Sequence, residues 1–557
     1  MLKREAAVDV LAEEEFDVVV IGGGITGAGV ALDAASRGFS VGLVEKADYA
    51  SGTSSRSSKL VHGGLRYLQN FDLGLVREAL LERQLMVRLA PHLVRPLKLV
   101  VPAFDGARPD RLTGIGLNMY DVMATPRRRV RRASRRAVAS GLEEVDWSPA
   151  RHRVISGEEV LELLPALHAR NPSGGYLFYD CQTDDSRLVL TVLGEAERFG
   201  AVCANRLRVL ELHHEGGRAA GVRVVDVETG EEFVVRGDNV VNATGVWADQ
   251  IRPEELHSEA EVPTIRPSRG AHITLSPDDL PLVSGAIVPA GEGRTIFALP
   301  WLGRSLIGTT DNNYEGDLDH VRPAPEDIEY LLNAVNSFFA TDLGPGDITG
   351  AYAGVRPLIS TGDSRKSVDI SRKAELYETS SGMVTITGGK LTTWRRMAKM
   401  AVDALVEREG RYAPCRTQEI PLGQEIAPER LKLVADVPEA AYAALAARYG
   451  HDAEKVLELA AQRPVLAHPI LAGLPDLLAE AAYAVRHEQA LTVADVLMRR
   501  TRLGLLDARR LCSPDAPESR QVARVMGDEL GWDEIRVAAE VEAFRAESAS
   551  EGISVLA

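Results

Sequence analysis

Residues 54–69, SSRSSKLVHGGLRYLQ, gather Arg56, Lys59, His62 and Arg66 beside a serine-rich loop with two glycines. Cations and hydroxyls at this spacing suit an anion such as a phosphate, which guanidinium groups grip through paired hydrogen bonds. An imidazole among them adds a group that takes up protons near neutral pH. The cluster is local: the 557-residue chain carries 64 Lys+Arg against 80 Asp+Glu, a formal net charge of -16. An acidic balance of this size argues against a general nucleic-acid role.

The loop must be positioned by what precedes it. Residues 16–46 read FDVVVIGGGITGAGVALDAASRGFSVGLVEK. An apolar, β-branched run is followed by Gly22, Gly24 and Gly27, a helical pattern, and a second apolar run ending at Glu45. This is the strand–turn–helix of a dinucleotide site. Gly22 permits the turn, Gly24 lets backbone approach a pyrophosphate, and Gly27 allows helix to pack on strand. The helix start, Ile25 and Thr26, offers N–H groups to the phosphates. Glu45 suits ribose hydroxyls, with Lys46 beside it. Two later strand–turn segments resemble the further FAD contacts of two-dinucleotide-binding flavoproteins: Ala243-Thr244-Gly245 in NATGVWAD, and Gly389-Lys390-Leu391-Thr392 ahead of a long helix. In such flavoproteins the loop after the second strand comes close to the pyrophosphate and the flavin ring, and this resemblance implies Thr53, Ser54, Ser55, Ser58, His62, Gly63 and Gly64 along the same cofactor.

Other features bound the reading. Four cysteines stand far apart with no C-x-x-C pair, so neither a disulfide framework nor a zinc site is expected, and no metal site is read. The first residues are acidic where a signal peptide needs an apolar run. No apolar stretch reaches the roughly 18 residues that span a bilayer. A cytoplasmic protein is expected, with contact at the inner face of the membrane left open. PRRRVRRASRR, 126–136, holds seven arginines; it suits anionic lipid headgroups or ion pairs with the chain's many acids. Beyond the Pro-containing connection 414–430, apolar residues recur at helical spacing.

In order along the chain, GGGITGAG, SSKLVHGGLRYL, NATGVWAD, IGTTDNNY, GVRPL and TGGKLTTWRRMA resemble the FAD-dependent, aerobic-type glycerol-3-phosphate dehydrogenase family. The likeness runs from about residue 15 to about residue 510, ending in HEQALTVADVLMRRTRLGL. It implies an α/β fold with an α+β substrate half: a Rossmann-like, D-amino-acid-oxidase-like flavoprotein with a C-terminal α-helical domain. Residues 15–91, 151–261 and 351–413 would form a discontinuous FAD-binding domain, 92–150 and 262–350 a β-rich substrate domain, and 430–557 a helical cap.

The family oxidises sn-glycerol 3-phosphate to dihydroxyacetone phosphate by hydride transfer from C2 to flavin N5, with electrons passed to membrane quinone, or to dioxygen in oxidase relatives. The resemblance places Arg66, Tyr67, Arg356, Arg372 and Thr392 at the substrate and His272, His62, Arg356 and Lys390 at the reacting atoms. Either histidine suits the proton-accepting base. An amine oxidase on this fold would need no phosphate site, and a non-catalytic flavoprotein would not need these side chains. Trp394 stands where this family often has Tyr, which bears on packing at the helix start. A homodimer is left open.

Overall fold

The structure is a computed structural model that describes residues 1–65, 72–124, 150–251, 264–291, 293–360, 374–514 and 516–553. Two sheets divide the catalytic part. The first contains β1 (Glu15–Ile21), β2 (Val41–Val44), β7 (Val202–Ala204), β8 (Leu207–Glu215), β9 (Arg218–Asp226), β10 (Glu232–Asn242), β17 (Ala374–Glu378) and β18 (Val384–Gly388). Its centre, in the order β18-β10-β1-β2-β7, is parallel. Parallel strands are covered on both faces, which explains the unbroken apolar runs: Val18, Val19 and Val20 are fully buried. The helices Ile25–Ser36, Asp185–Arg198 and Trp394–Arg408 supply buried residues to the same core.

The second sheet contains β3 (Leu60–Val61), β4 (Arg95–Ala103), β5 (Arg153–Ser156), β6 (Gly174–Gln182), β11 (Thr264–Leu275), β12 (Gly285–Pro289), β13 (Thr295–Trp301), β14 (Arg304–Gly308), β15 (Asn312–Asn313) and β16 (Ile348–Ser360). It is antiparallel apart from the pairing of β12 with β4. The two sheets divide the chain differently from the sequence reading. β5 and β6 lie within 151–261, expected with the flavin half, yet β6 pairs with β4. β16 runs into the expected flavin segment 351–413 but pairs along the whole of β11.

From Glu439 the described chain is mainly helical, ending in Pro517–Leu530 and Glu534–Ser550. These helices bury Leu445, Leu457 and Leu505 in one apolar core with Leu99, Phe178 and Tyr352 of the second sheet. Polar anchors reach the first sheet: Asp48 accepts hydrogen bonds from Arg499 (2.6 Å) and Arg500 (2.7 and 2.8 Å), all buried.

Candidate active site

The glycine cradle is dictated by space. Gly22 has φ +110°, and a side chain there would lie 2.9 Å from the Ala243 carbonyl. A Cβ on Gly27 would lie 1.9 Å from the Gly22 carbonyl, so helix and turn meet only with glycine. Gly24 caps the helix Ile25–Ser36, and the Ile25 N–H donates to Ser54 Oγ at 2.9 Å. Glu45 accepts from the N–H groups of Gly23 (2.6 Å) and Ala47 (2.8 Å), and burial pushes its carboxyl up. It therefore tightens the turn as well as facing the groove.

A cavity of about 410 Å³ runs over this cradle. Gly22, Gly24, Ile25, Thr26, Glu45 and Lys46 line it from the first strands, Thr53 and Ser54 from the loop, and Ala243, Thr244 and Gly245 from the end of β10. Gly389, Lys390 and Leu391 line its far end. Lys46 pairs with Asp319 and lies 4.1 Å from the Trp247 ring.

A second cavity, of about 480 Å³, shares Ile25, Thr53, Ser54, Gly389, Lys390 and Leu391 with the first. The two form one elongated space with a backbone-lined end and a side-chain-lined end. That lining, glycine backbone in one part and polar side chains in the other, fits a dinucleotide carrying a planar ring.

The second cavity takes its chemistry from β11, β14 and β16. Register sets His272 opposite Tyr352 and Gly308, and Ser268 opposite Arg356. Strand alternation puts Gly270 and His272, and Tyr352, Gly354 and Arg356, on one face. A Cβ on Gly308 would lie 2.2 Å from the His272 ring, and one on Gly270 2.5 Å from the Arg356 guanidinium, so both glycines make room for these two side chains. The His272 ring stacks on Tyr352 at 4.8 Å and 13°, with Ser58 Oγ 2.8 Å from Nε2. Burial, then the cations Lys59 and Arg356, hold His272 well below the usual histidine range. Arg356 donates to Thr309 Oγ1 (3.1 Å) and the Thr310 carbonyl (3.2 Å), and lies 3.4 Å from Asp311. His62 lines the cavity with its ring at a right angle to Phe297; its backbone N–H donates to Thr392 Oγ1 at 3.1 Å. Gly64 and Thr392 line the same space.

Some expected residues sit elsewhere. Gly27 packs helix on turn. Ser55 and Gly63 line neither cavity: the Ser55 carbonyl accepts from Lys59 and Arg502, and the Gly63 N–H faces the Tyr120 hydroxyl and Asp180. Two of the loop cations are taken up by acids. Lys59 is fully buried on Asp185, and Arg56 pairs with Glu551 from the end of the chain. Distant acids pair with these two cations. Arg66, Tyr67, Arg372 and the arginine run 126–136 lie outside the described residues. The sequence reading missed Asp180, which lines the cavity and is held by Tyr120 and Arg83, and Asp185. Neither belongs to a local motif.

A parallel sheet with a glycine cradle, joined to an antiparallel sheet across a common cavity, defines a dinucleotide-dependent oxidoreductase. Residues 17–404 match the FAD dependent oxidoreductase family, and residues 385–537 match the C-terminal domain of alpha-glycerophosphate oxidase. The cofactor is therefore FAD. Glycerol-3-phosphate dehydrogenase 2 of Mycobacterium tuberculosis is 38% identical over 99% of this chain and 91% of its own length. The aerobic glycerol-3-phosphate dehydrogenase of Bacillus subtilis is 35% identical over 90% and 89%. The solved glycerol-3-phosphate dehydrogenase from Bacillus halodurans, complexed with FAD, superposes with a TM-score of 0.76 at 29% identity, covering 100% of this chain and 98% of that one. The chain belongs to the FAD-dependent glycerol-3-phosphate dehydrogenase family.

Proposed function

We propose that this enzyme oxidises the C2 alcohol of sn-glycerol 3-phosphate to dihydroxyacetone phosphate and delivers the electrons to a membrane quinone. The observation that carries the reading is that His272, Ser58 and Arg356 face one cavity, which joins the dinucleotide groove at Lys390 and Leu391. Bound FAD supplies the hydride acceptor. His272, kept neutral by its surroundings, takes the C2 hydroxyl proton. Arg356 stabilises the negative charge that develops on that oxygen. Lys390, at the turn preceding the helix Trp394–Arg408, favours negative charge where the two cavities meet. Arg66, Tyr67, Arg372 and Thr392 hold the substrate; its phosphate carries nearly two negative charges at neutral pH.

The quinone reading is supported by the helix Arg111–Ala124. Leu112 (77% exposed), Ile115, Met119 and Val122 (70% exposed) form an apolar stripe on it, and Thr113 lines the reaction cavity. No described helix is long and apolar enough to cross a membrane. An exposed apolar stripe, followed in sequence by seven arginines, suits the surface of an anionic bilayer.

The test is anaerobic bleaching of the purified flavoprotein by sn-glycerol 3-phosphate, then mixing with a quinone analogue or with air. Bleaching with fast quinone and slow air reoxidation is expected. Fast reoxidation by air assigns dioxygen as the acceptor, and no bleaching with FAD bound refutes the substrate. Replacing Leu112, Ile115 and Val122 with Ser is expected to reduce co-sedimentation with anionic liposomes; unchanged co-sedimentation removes the stripe from the argument.

A further inference from the structure

Behind the reaction cavity lies a buried ionic cluster that the proposed reaction does not use. Arg502 comes from the C-terminal helical region, has a left-handed backbone (φ +70°) and is fully buried. It donates to the Ser55 carbonyl at 2.7 Å and to Asp185 at 3.1 Å. Lys59, also fully buried, donates to the same carbonyl at 2.6 Å and to both Asp185 oxygens at 3.0 and 2.8 Å. Asp185 further accepts from the N–H (3.1 Å) and hydroxyl (2.6 Å) of Ser57. Tyr352 closes the set, its hydroxyl donating to the Ser57 carbonyl at 2.9 Å.

The loop 55–59 is thus tied at Ser55, at both backbone groups of Ser57 and at the Lys59 ammonium. Ser58, between the tied residues, is the residue that touches His272. Lys59 itself has φ +60°, a conformation that is strained for a non-glycine residue and persists where its surroundings over-determine it. Burying two cations on one carboxylate is a poor route to stability, because desolvation offsets much of the attraction. Its distinctive product is direction. Lys59 Nζ also lies 4.8 Å from the Tyr352 ring on which His272 stacks.

We propose that Arg502, Asp185 and Lys59 are positioning residues through which the C-terminal helical region holds Ser58 and the His272 ring in place for proton abstraction. This rests on the reading of His272 as the base. The C-terminal helices then help build the reaction centre as well as cover the second sheet.

The electrostatics give a readout that a purely structural role would not move. The cations whose fields reach His272 are Lys59, from the loop, pushed down to about 7 by burial and Arg502 and so charged on the acid side, and Arg356, from β16. Asp185 pairs with Lys59 on the far side of Ser57, and His62, Lys390, Asp180 and Asp311 line the shared cavity. Removing the Lys59 charge makes His272 easier to protonate, so the acid limb of kcat/KM moves to higher pH.

The experiment compares holoenzymes carrying Lys59→Met, Lys59→Arg, Arg502→Met and Arg502→Lys. The Met variants are expected to keep FAD, lose about 10- to 100-fold in kcat and leave KM for sn-glycerol 3-phosphate nearly unchanged, the signature of a misplaced catalytic group. Lys59→Met also moves the acid limb upward, and the Arg and Lys variants recover part of kcat. FAD-loaded Met variants with unchanged kcat and acid limb overturn the proposal. If the Met variants do not hold FAD, Tyr352→Phe decides: it keeps the stacked ring and removes only the bond to Ser57, so a lowered kcat at constant KM supports the proposal and an unchanged kcat overturns it. His272→Asn separates the two readings. A loss of about 10²- to 10⁴-fold is the usual contribution of a general base. With that loss and normal Lys59→Met kinetics, the positioning role fails alone; without it, the base assignment fails and takes the positioning role with it.

Discussion

The dinucleotide cradle and the reaction cavity share a wall but are built from different material. The cradle is backbone: Gly22 and Gly27 pack against each other and against Ala243 with no room for a single Cβ at either glycine. The cavity is side chains: Ser58, His272, Arg356 and Thr392 come from four separate parts of the chain. A backbone site fails sterically when anything is added. A side-chain site fails chemically when something is removed, and the fold survives because alanine still fits. Damage to the first should therefore abolish cofactor binding, and damage to the second should abolish turnover with the cofactor in place.

The largest expected effect is Gly27→Ala. Its methyl would sit 1.9 Å from the Gly22 carbonyl, so helix and turn must separate. Loss of bound FAD is expected, measured as the ratio of flavin to protein absorbance after purification; a stoichiometric flavin content would break the contrast. Next is Arg356→Ala. FAD is retained while kcat/KM falls about 10²- to 10³-fold, the usual effect of removing one group that stabilises developing negative charge. Steady-state kinetics on flavin-loaded enzyme check it, and near-normal kinetics exclude Arg356 from the reaction.

The same contrast explains what the sequence disclosed. The cradle is written within 31 consecutive residues, 16–46, because strand, turn and helix are local. The C-terminal helices were legible for the same reason, since their apolar residues recur at short spacing. Sheet membership was not. Nothing local in 174–182 says that it pairs with β4 while the helix after it packs in the flavin half. The partners of two loop cations were hidden on similar grounds. Arg56 and Lys59 look available until Glu551 and Asp185 arrive from 495 and 126 residues away. That Arg356 and His272 share one cavity was legible only through motif resemblance, because their placement depends on cross-strand register.

A smaller effect tests the electrostatics of the side-chain half. In the folded chain, burial and the cations Lys59 and Arg356 make His272 hard to protonate. The unfolded chain therefore takes up this proton first, as pH falls through about 6.5. The stability contribution of a neutral His272 is full above that pH and is lost as pH falls toward the folded value. On the proposed role of His272 as the base, the folded enzyme keeps that group unprotonated over the same range. Activity should outlast stability on the acid side: the acid limb of kcat/KM lies below 6.5, while thermal unfolding shifts to lower temperature from about 6.5 downward. A limb at or above that value in pH-dependent initial rates would show that His272 is not shielded as its surroundings imply.

The smallest expected effect lies where the two halves join. Trp394 starts the helix behind Lys390 and is 1% exposed. Its indole N–H donates to Met86 Sδ at 2.9 Å, and its ring fills the space that a side chain on Gly29 would need. Trp394→Tyr leaves part of that volume empty and brings a hydroxyl into a buried site. A destabilisation of about 1–3 kcal/mol is expected, read as a lower Tm. Lys390 is held by the turn Gly388–Gly389, both with positive φ, more than by the indole. Flavin content and kcat should therefore stay within about twofold of the parent, well under the 1.4 kcal/mol that a tenfold rate change requires. A drop of that size or more with FAD bound would mean that packing behind the helix sets the reacting geometry, and that the boundary between backbone and side-chain control runs through Trp394 instead of through Lys390.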